Sequence, residues 1–368
     1  MAFRVHLRQP MIAIAAAEAP DGGVSPGWAQ AGEVAGGAGA HDLGEMPEWN
    51  LADLYASPDA PEVQEHIARA RQMAESFKAS YQGKITSHGR DGVKLAEIIA
   101  AYEAVAELMS RLGTYAGLYY AGDQADQARA KFYGDTIAKL TEISRELIFV
   151  ELELNQIEGD DLVQALGDDK IKHYKPWLDD LRKEKPFQLD EKLEQLFTDK
   201  SQTAAGAWNR LFSDTMAALR FDVQGEAELM TLEPTLNLLM DKDEPRRKAA
   251  AEALAKTFQD NIRIFTLILN TLAKDKEISD RWRGFKDVAD SRHLANRVEG
   301  EVVEALVDAV TEKYPTISHR YYRMKAKWLG MDQLSHWDRN APLPDKPERV
   351  ISWPEARDMV LTAYGGFS

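Results

Sequence analysis

A hydrolase that works through a metal often shows itself as H-E-x-x-H. Two histidines one helical turn apart then share a face, and the intervening Glu serves as base. The eight histidines of this 368-residue chain are His6, His41, His66, His88, His173, His293, His319 and His336. No two lie three or four residues apart and none is followed by Glu, so the motif is absent from the sequence. There is no cysteine, which removes thiol nucleophiles, disulfides and Cys-ligated zinc together. Neither a P-loop nor G-x-G-x-x-G occurs. Gly23-Val24-Ser25-Pro26-Gly27 matches the letters of the G-x-S-x-G nucleophile elbow. It has no strand before it and no helix after it, so it reads as a chance match. The 60 acidic residues read as solvated helix faces, and their spacing singles out no acid–base pair. No residue is therefore assigned a catalytic or metal-binding role. The chain is expected to bind zinc no better than a generic surface. Any metal site would have to be assembled from distant residues, such as His319 and His336 with carboxylates near them.

Three clusters carry more varied chemistry. Arg281-Trp282-Arg283-Gly284-Phe285 followed by Asp290–Val298 mixes charges, aromatics and helix-breaking residues. It reads either as an irregular turn facing a groove or as a helix capped by Gly284 whose arginines pair with nearby acids. His319–Gly330 reads as a basic amphipathic helix, suited to gripping an acidic partner or to laying Lys and Arg stems over aromatic packing. His336-Trp337-Asp338-Arg339-Asn340-Ala341-Pro342-Leu343-Pro344 reads as a connection dense in hydrogen-bonding groups.

The elements that must position these clusters are helices. In 131–155, Tyr133, Ile137, Leu140, Ile143, Leu147, Val150 and Leu154 recur every three or four residues. In 247–272, Ala250, Leu254, Phe258, Ile262, Phe265, Leu269 and Leu272 do the same, with Asp243 and Pro245 as a start signal. Segments 60–82, 91–121, 188–218 and 300–314 follow the pattern; Pro315 ends the last, and a further helix occupies about 316–329. Ser352 and Pro354 open another, with Met359, Val360 and Ala363 at helical spacing. Strand signals reduce to Leu219–Val223, which with 227–231 makes at most a small β-hairpin near 219–231. The fold class is mainly α. Residues 1–45 form a disordered leader, 46–185 an N-terminal helical bundle and 186–368 a second helical region, divided near the charge run and proline of 183–186.

The net charge of −15 argues against nucleic acid as a partner. No window is apolar enough to span a membrane. The missing cysteines fit a reducing cytoplasm, although Arg4, Arg8 and the run Met11–Ala17 have the outline of a weak signal peptide.

Trp49-Asn50-Leu51-Ala52-Asp53-Leu54-Tyr55 resembles the W-x-L-x-D-L-Y opening of the oligoendopeptidase F family of zinc metallopeptidases, thimet-oligopeptidase-like enzymes. Arg283-Gly284, Ala289–Val298, Lys325-Ala326-Lys327-Trp328-Leu329-Gly330, Trp337–Pro344 and Ala363-Tyr364-Gly365-Gly366-Phe367-Ser368 follow in the family's order. The resemblance covers about residues 46–368. It implies a mostly helical, two-lobed peptidase that encloses a deep groove and cuts short peptides in the cytoplasm, with 186–368 as the start of the peptidase domain. It also implies zinc, two of whose ligands and the general base come from H-E-x-x-H. That motif would lie downstream of the matched region, so no catalytic, metal or substrate-binding residue is carried over. The chain alone is expected to be inactive, to hold no zinc, and to self-associate through an exposed apolar surface after residue 230. A reading of another class, a non-catalytic helical module that binds peptides or proteins, stays open at this point.

Overall fold

The computed structural model describes residues 49–344 and 350–367. The leader 1–45, with its signal-like run, elbow-like string, His6 and His41, lies outside the described residues, as does Ser368. The body opens with three long helices, α1 (Pro61–Tyr81), α2 (Gly92–Ala121) and α3 (Gln127–Arg145). Their starts are written locally. Pro61 occupies the first turn of α1, where a missing N–H costs nothing, while the Asp91 and Asp126 carboxylates accept backbone N–H bonds at the starts of α2 and α3. Helix α2 buries Leu95, Ile98, Ile99, Met109 and Leu112 against Val63, Ile67 and Phe77 of α1 and Leu140 and Ile143 of α3. α4 (Ile148–Gln156), α5 (Gly159–Ala165) and α6 (Lys175–Glu184) close this core, contributing Phe149, Leu154, Leu162, Trp177 and Leu181. Gly92 starts α2 against α5 so closely that a Cβ there would sit 2.3 Å from the Ala165 carbonyl oxygen.

Continuous apolar periods in the sequence turn out to span breaks. The 131–155 stripe divides into α3 and α4 at Glu146-Leu147, and 188–218 into α7 (Glu191–Ser201) and α8 (Ala205–Ala218). α9 (Leu232–Asn237) precedes the third divided segment, 247–272, which is shared by α10 (Glu244–Asp260) and α11 (Ile262–Arg283) with Asn261 between them. Asn261 Nδ2 donates to the Thr257 carbonyl at 2.9 Å, a local side-chain bond of the kind that competes with helix continuation. The break rotates the stripe: Ala250 and Leu254 are buried and Phe258 and Phe265 pack on the same core, but in α11 Ile268 is inside while Ile262 and Leu269 face solvent. This second core gathers Leu219, Phe221, Val223 and α10. The hairpin expected near 219–231 is a single antiparallel bridge. Phe221 and Met230 exchange both backbone bonds, at 2.8 and 2.9 Å, across a turn containing Gly225 at φ +99°.

The C-terminal helices are α12 (Asp290–Ala295), α13 (Gly300–Lys313), α14 (Ser318–Trp328) and α15 (Trp353–Gly365). Ser352 caps α15, and Pro354 lies in its first turn, as its sequence specifies. Neither α13 nor α15 buries a residue. Val302, Leu306, Val307 and Val310 of α13 and Met359, Val360, Leu361 and Tyr364 of α15 are exposed apolar side chains. Among the described residues no helix is long and apolar enough to cross a membrane.

Candidate functional site

Sequence-distant groups converge where α10, α14 and the segment 331–341 meet. Within that segment a 3-10 turn, His336–Asp338, is fixed by a capping box in which the Asp338 carboxylate accepts the Ser335 N–H at 3.0 Å. Asp338 is fully buried and pairs at 2.7 Å with Arg247 of α10, itself almost fully buried. Arg247 also donates to the carbonyls of Asp241 and Lys242, both at 2.9 Å. The Trp337 indole N–H donates to Glu244 at 2.8 Å, and the Lys248 ammonium lies 5.8 Å from the Trp337 ring centroid. From α14, buried Lys325 sends its ammonium to the Arg339 carbonyl at 2.7 Å. Desolvation, reinforced by repulsion from Arg247 and opposed by attraction to Asp338, holds the Lys325 pKa below its ordinary value.

This scaffold shapes an open cleft of about 780 Å³. One wall is α14, which turns His319, Tyr322, Arg323 and Ala326 inward at helical spacing. The other is the anchored segment, with Asp332, His336, Trp337, Arg339 and Asn340. The structure thus brings His319 and His336, the pair singled out in the sequence, into one cleft. Among the described residues, however, no group of three or more His, Asp or Glu side chains is placed to hold a metal ion. The donor set does not fit a zinc site.

Residues 281–298 follow the capped-helix reading. Gly284, at φ +82°, ends α11 in a Schellman motif, with Phe285 N–H on the Asp280 carbonyl and Gly284 N–H on that of Arg281. Arg283 forks onto Glu194 of α7 through bonds of 2.7 and 2.9 Å, and Phe187 stacks on Phe285 with centroids 4.1 Å apart. Arg281 pairs with Glu277, and Arg297 pairs with Asp180 at 2.8 Å. Arg283 and Arg297 thus tie the end of α11 and the turn after α12 to α7 and α6, while Arg281 pairs within α11. In α14 only Lys325 and Ala326 are buried, while Tyr321, Tyr322 and Trp328 remain exposed. The partners of Arg247 and Glu244 were not legible in the sequence. The signal available was the density of polar groups in 335–340, which says that a loop is bonded but not to what.

The profile of the family described as Oligopeptidase F matches residues 153–221. Oligopeptidase PepF of Bacillus subtilis is 25% identical over 321 residues, covering 85% of this chain and 46% of that protein. Group B oligopeptidase PepB of Streptococcus agalactiae is 23% identical over 329 residues, covering 87% and 53%. The crystal structure of oligoendopeptidase-F from Enterococcus faecium superposes with a TM-score of 0.65 at 18% identity, over 76% of this chain and 56% of that one, and so shares the fold. The chain spans about half the length of the curated relatives it matches. The family profile, the relatives of that name and the shared helical architecture agree in supporting the oligoendopeptidase F family for this chain.

Proposed function

We propose that this chain supplies the non-catalytic half of a zinc-dependent oligoendopeptidase, a cytoplasmic enzyme that hydrolyses peptide bonds in short peptides, and that on its own it is inactive. The observation that carries the reading is a mismatch of extent. The relatives named as oligopeptidases align along most of this chain, yet it covers only about half of theirs. H-E-x-x-H is absent from its 368 residues. Hydrolysis needs a polarised carbonyl and an activated water; a wall that binds and orients a peptide accelerates nothing without them. The exposed apolar faces of α13 and α15 support the same reading, because helices of a two-lobed protein turn such faces toward the other lobe. Left uncovered, they would also drive self-association.

The test is a fluorogenic oligopeptide assay on this chain and on a version extended through the coding sequence beyond Ser368. Chelator-sensitive turnover only in the extended version is the expected result. Zinc-dependent turnover by the short chain would overturn the assignment of the chemistry to the other half. No turnover by either would refute the peptidase reading.

A further inference from the structure

The cleft between α14 and the 331–341 segment has an electrostatic character opposite to that of the chain around it. The protein carries a net charge of −15, and most cations near the cleft are already committed to carboxylates: Arg246 to Glu226 and Asp241, Arg247 to Asp338, and Lys248 to Glu252. The two arginines in the cleft are not. Arg323 has only a long, 3.4 Å bond to the Pro315 carbonyl, and the Arg339 guanidinium has no ion pair or hydrogen bond among the described residues. Asp332 is the lone carboxylate in the lining, which also holds two imidazoles, the Tyr322 hydroxyl and the Asn340 amide.

The position of these groups is built rather than incidental. Arg323 stands on α14 one turn beyond His319 and level with Tyr322, so the helix sets all three on one stripe. The main chain of Arg339 is held on two sides. Its carbonyl takes the buried Lys325 ammonium, and its N–H bonds the His336 carbonyl within the turn that buried Asp338 anchors to Arg247. Ordering costs for a ligand-binding loop are thereby met in advance, which is the condition under which two exposed guanidinium groups bind an anion well. Arginine forks match planar carboxylates bidentately.

We infer that this cleft recognises a carboxylate of a bound peptide, with Arg323 and Arg339 as its binding residues and Trp337 and Tyr322 packing against the flanking peptide. The inference rests on the peptide-cleavage reading for its choice of ligand. The carboxylate has two sources, the peptide's C-terminus and an Asp or Glu side chain.

Dansylated tripeptides separate the sources: dansyl-Ala-Ala-Phe as the free acid, its C-terminal amide, and the amide of dansyl-Ala-Asp-Phe. Binding is read by anisotropy on the chain itself. The free acid or the Asp-containing amide is expected to bind at least about tenfold more tightly than the neutral amide. Which of the two gains identifies the source. Arg339→Gln and Arg323→Gln should each remove most of that preference, whereas Arg320→Gln, on α14 but outside the cleft lining, should leave it intact. Both cleft arginines are exposed, so the variants should unfold in urea at the wild-type midpoint. Equal binding of all three peptides, no binding of any, or equal loss in the Arg320 control would overturn the inference. Its failure is separable from that of the peptidase reading. An extended enzyme that cleaves peptides while the cleft ignores charge removes only the cleft. An Arg339-dependent preference without any cleavage by the extended enzyme removes only the peptidase reading.

Discussion

Replacing Asp338 with Asn deletes one negative charge from a site that buries two positive ones. Asp338 is fully buried, Arg247 and Lys325 are each about 3% exposed, and the Arg247–Asp338 contact is 2.7 Å. Breaking a buried pair by removing one partner costs about 3–5 kcal/mol, chiefly because the other charge stays buried without compensation. Two features reduce the cost here. Arg247 keeps its bonds to the Asp241 and Lys242 carbonyls, and the Asn side chain retains an oxygen that can still accept from Ser335 or Arg247. The expected destabilisation is therefore about 2–4 kcal/mol. Removing the Arg247 cation as well, in Arg247→Met/Asp338→Asn, should recover about 1 kcal/mol or more relative to the sum of the single variants, because neither member of the pair is then left buried without the other. Urea unfolding followed by tryptophan fluorescence measures the loss. Limited proteolysis within 331–344 reports whether the cleft wall is what loosens, since a chain with two cores need not unfold in one step. An Asp338→Asn midpoint equivalent to less than about 0.5 kcal/mol, or strict additivity in the double variant, would show that the pair does not hold this segment.

Gly92→Ala should destabilise the first core by about 1–3 kcal/mol, since the new Cβ would meet the Ala165 carbonyl oxygen at 2.3 Å and the Asp168 Cβ at 2.7 Å. A wild-type urea midpoint would mean that α2 and α5 separate freely. Leu306→Glu with Val310→Lys, both on the exposed face of α13, should shift the chain toward monomer in sedimentation velocity; an unchanged distribution would place any association elsewhere. Burial first, and then its hydrogen bond to Glu103, push the Tyr174 phenol up to about 12. The unfolded phenol ionises near 10 and the folded one higher, so its stabilising contribution is complete below about pH 10 and disappears as pH rises toward 12. Burial also raises Tyr55, Tyr115, Tyr120 and Tyr133, so the test is the difference in absorbance at 295 nm between wild type and Tyr174→Phe, expected to titrate toward pH 12; a difference that titrates near pH 10 would refute the assignment.

The sequence makes some of this fold legible because the relevant information is local. The starts of α2, α3 and α15 depend on a capping residue and the three positions after it, so Asp91, Asp126 and Ser352 can be read by eye. The cap at Gly284 depends on one residue's freedom to take φ +82°. Periodicity is less complete, since it registers that apolar residues recur but passes over a short interruption. The 131–155 and 247–272 stripes each run through two helices. Only the placement of Ile262 and Leu269 in solvent reveals that the period was not one face.

The cleft belongs to a further class of information, set by which residues meet across long chain separations. Arg247 and Asp338 lie 91 positions apart, and Glu244 and Trp337 lie 93 apart. Nothing in the spacing of either partner names the other. Arg247, between Arg246 and Lys248, looks like one more surface charge, and the Ser335–Asn340 run looks like any well-bonded loop. What makes them a site is that α10 and α14 approach the same segment from two sides, each burying a cation there, Arg247 paired with Asp338 and Lys325 bonded to the Arg339 carbonyl. The cost of burying those charges explains why the segment is held in a single arrangement, and that arrangement leaves Arg323 and Arg339 facing an open cleft without an ion pair among the described residues. Charge left unanswered beside charge so fully answered is what gives the cleft its functional reading. Catalytic spacing does not reveal it, since the sequence contains no H-E-x-x-H.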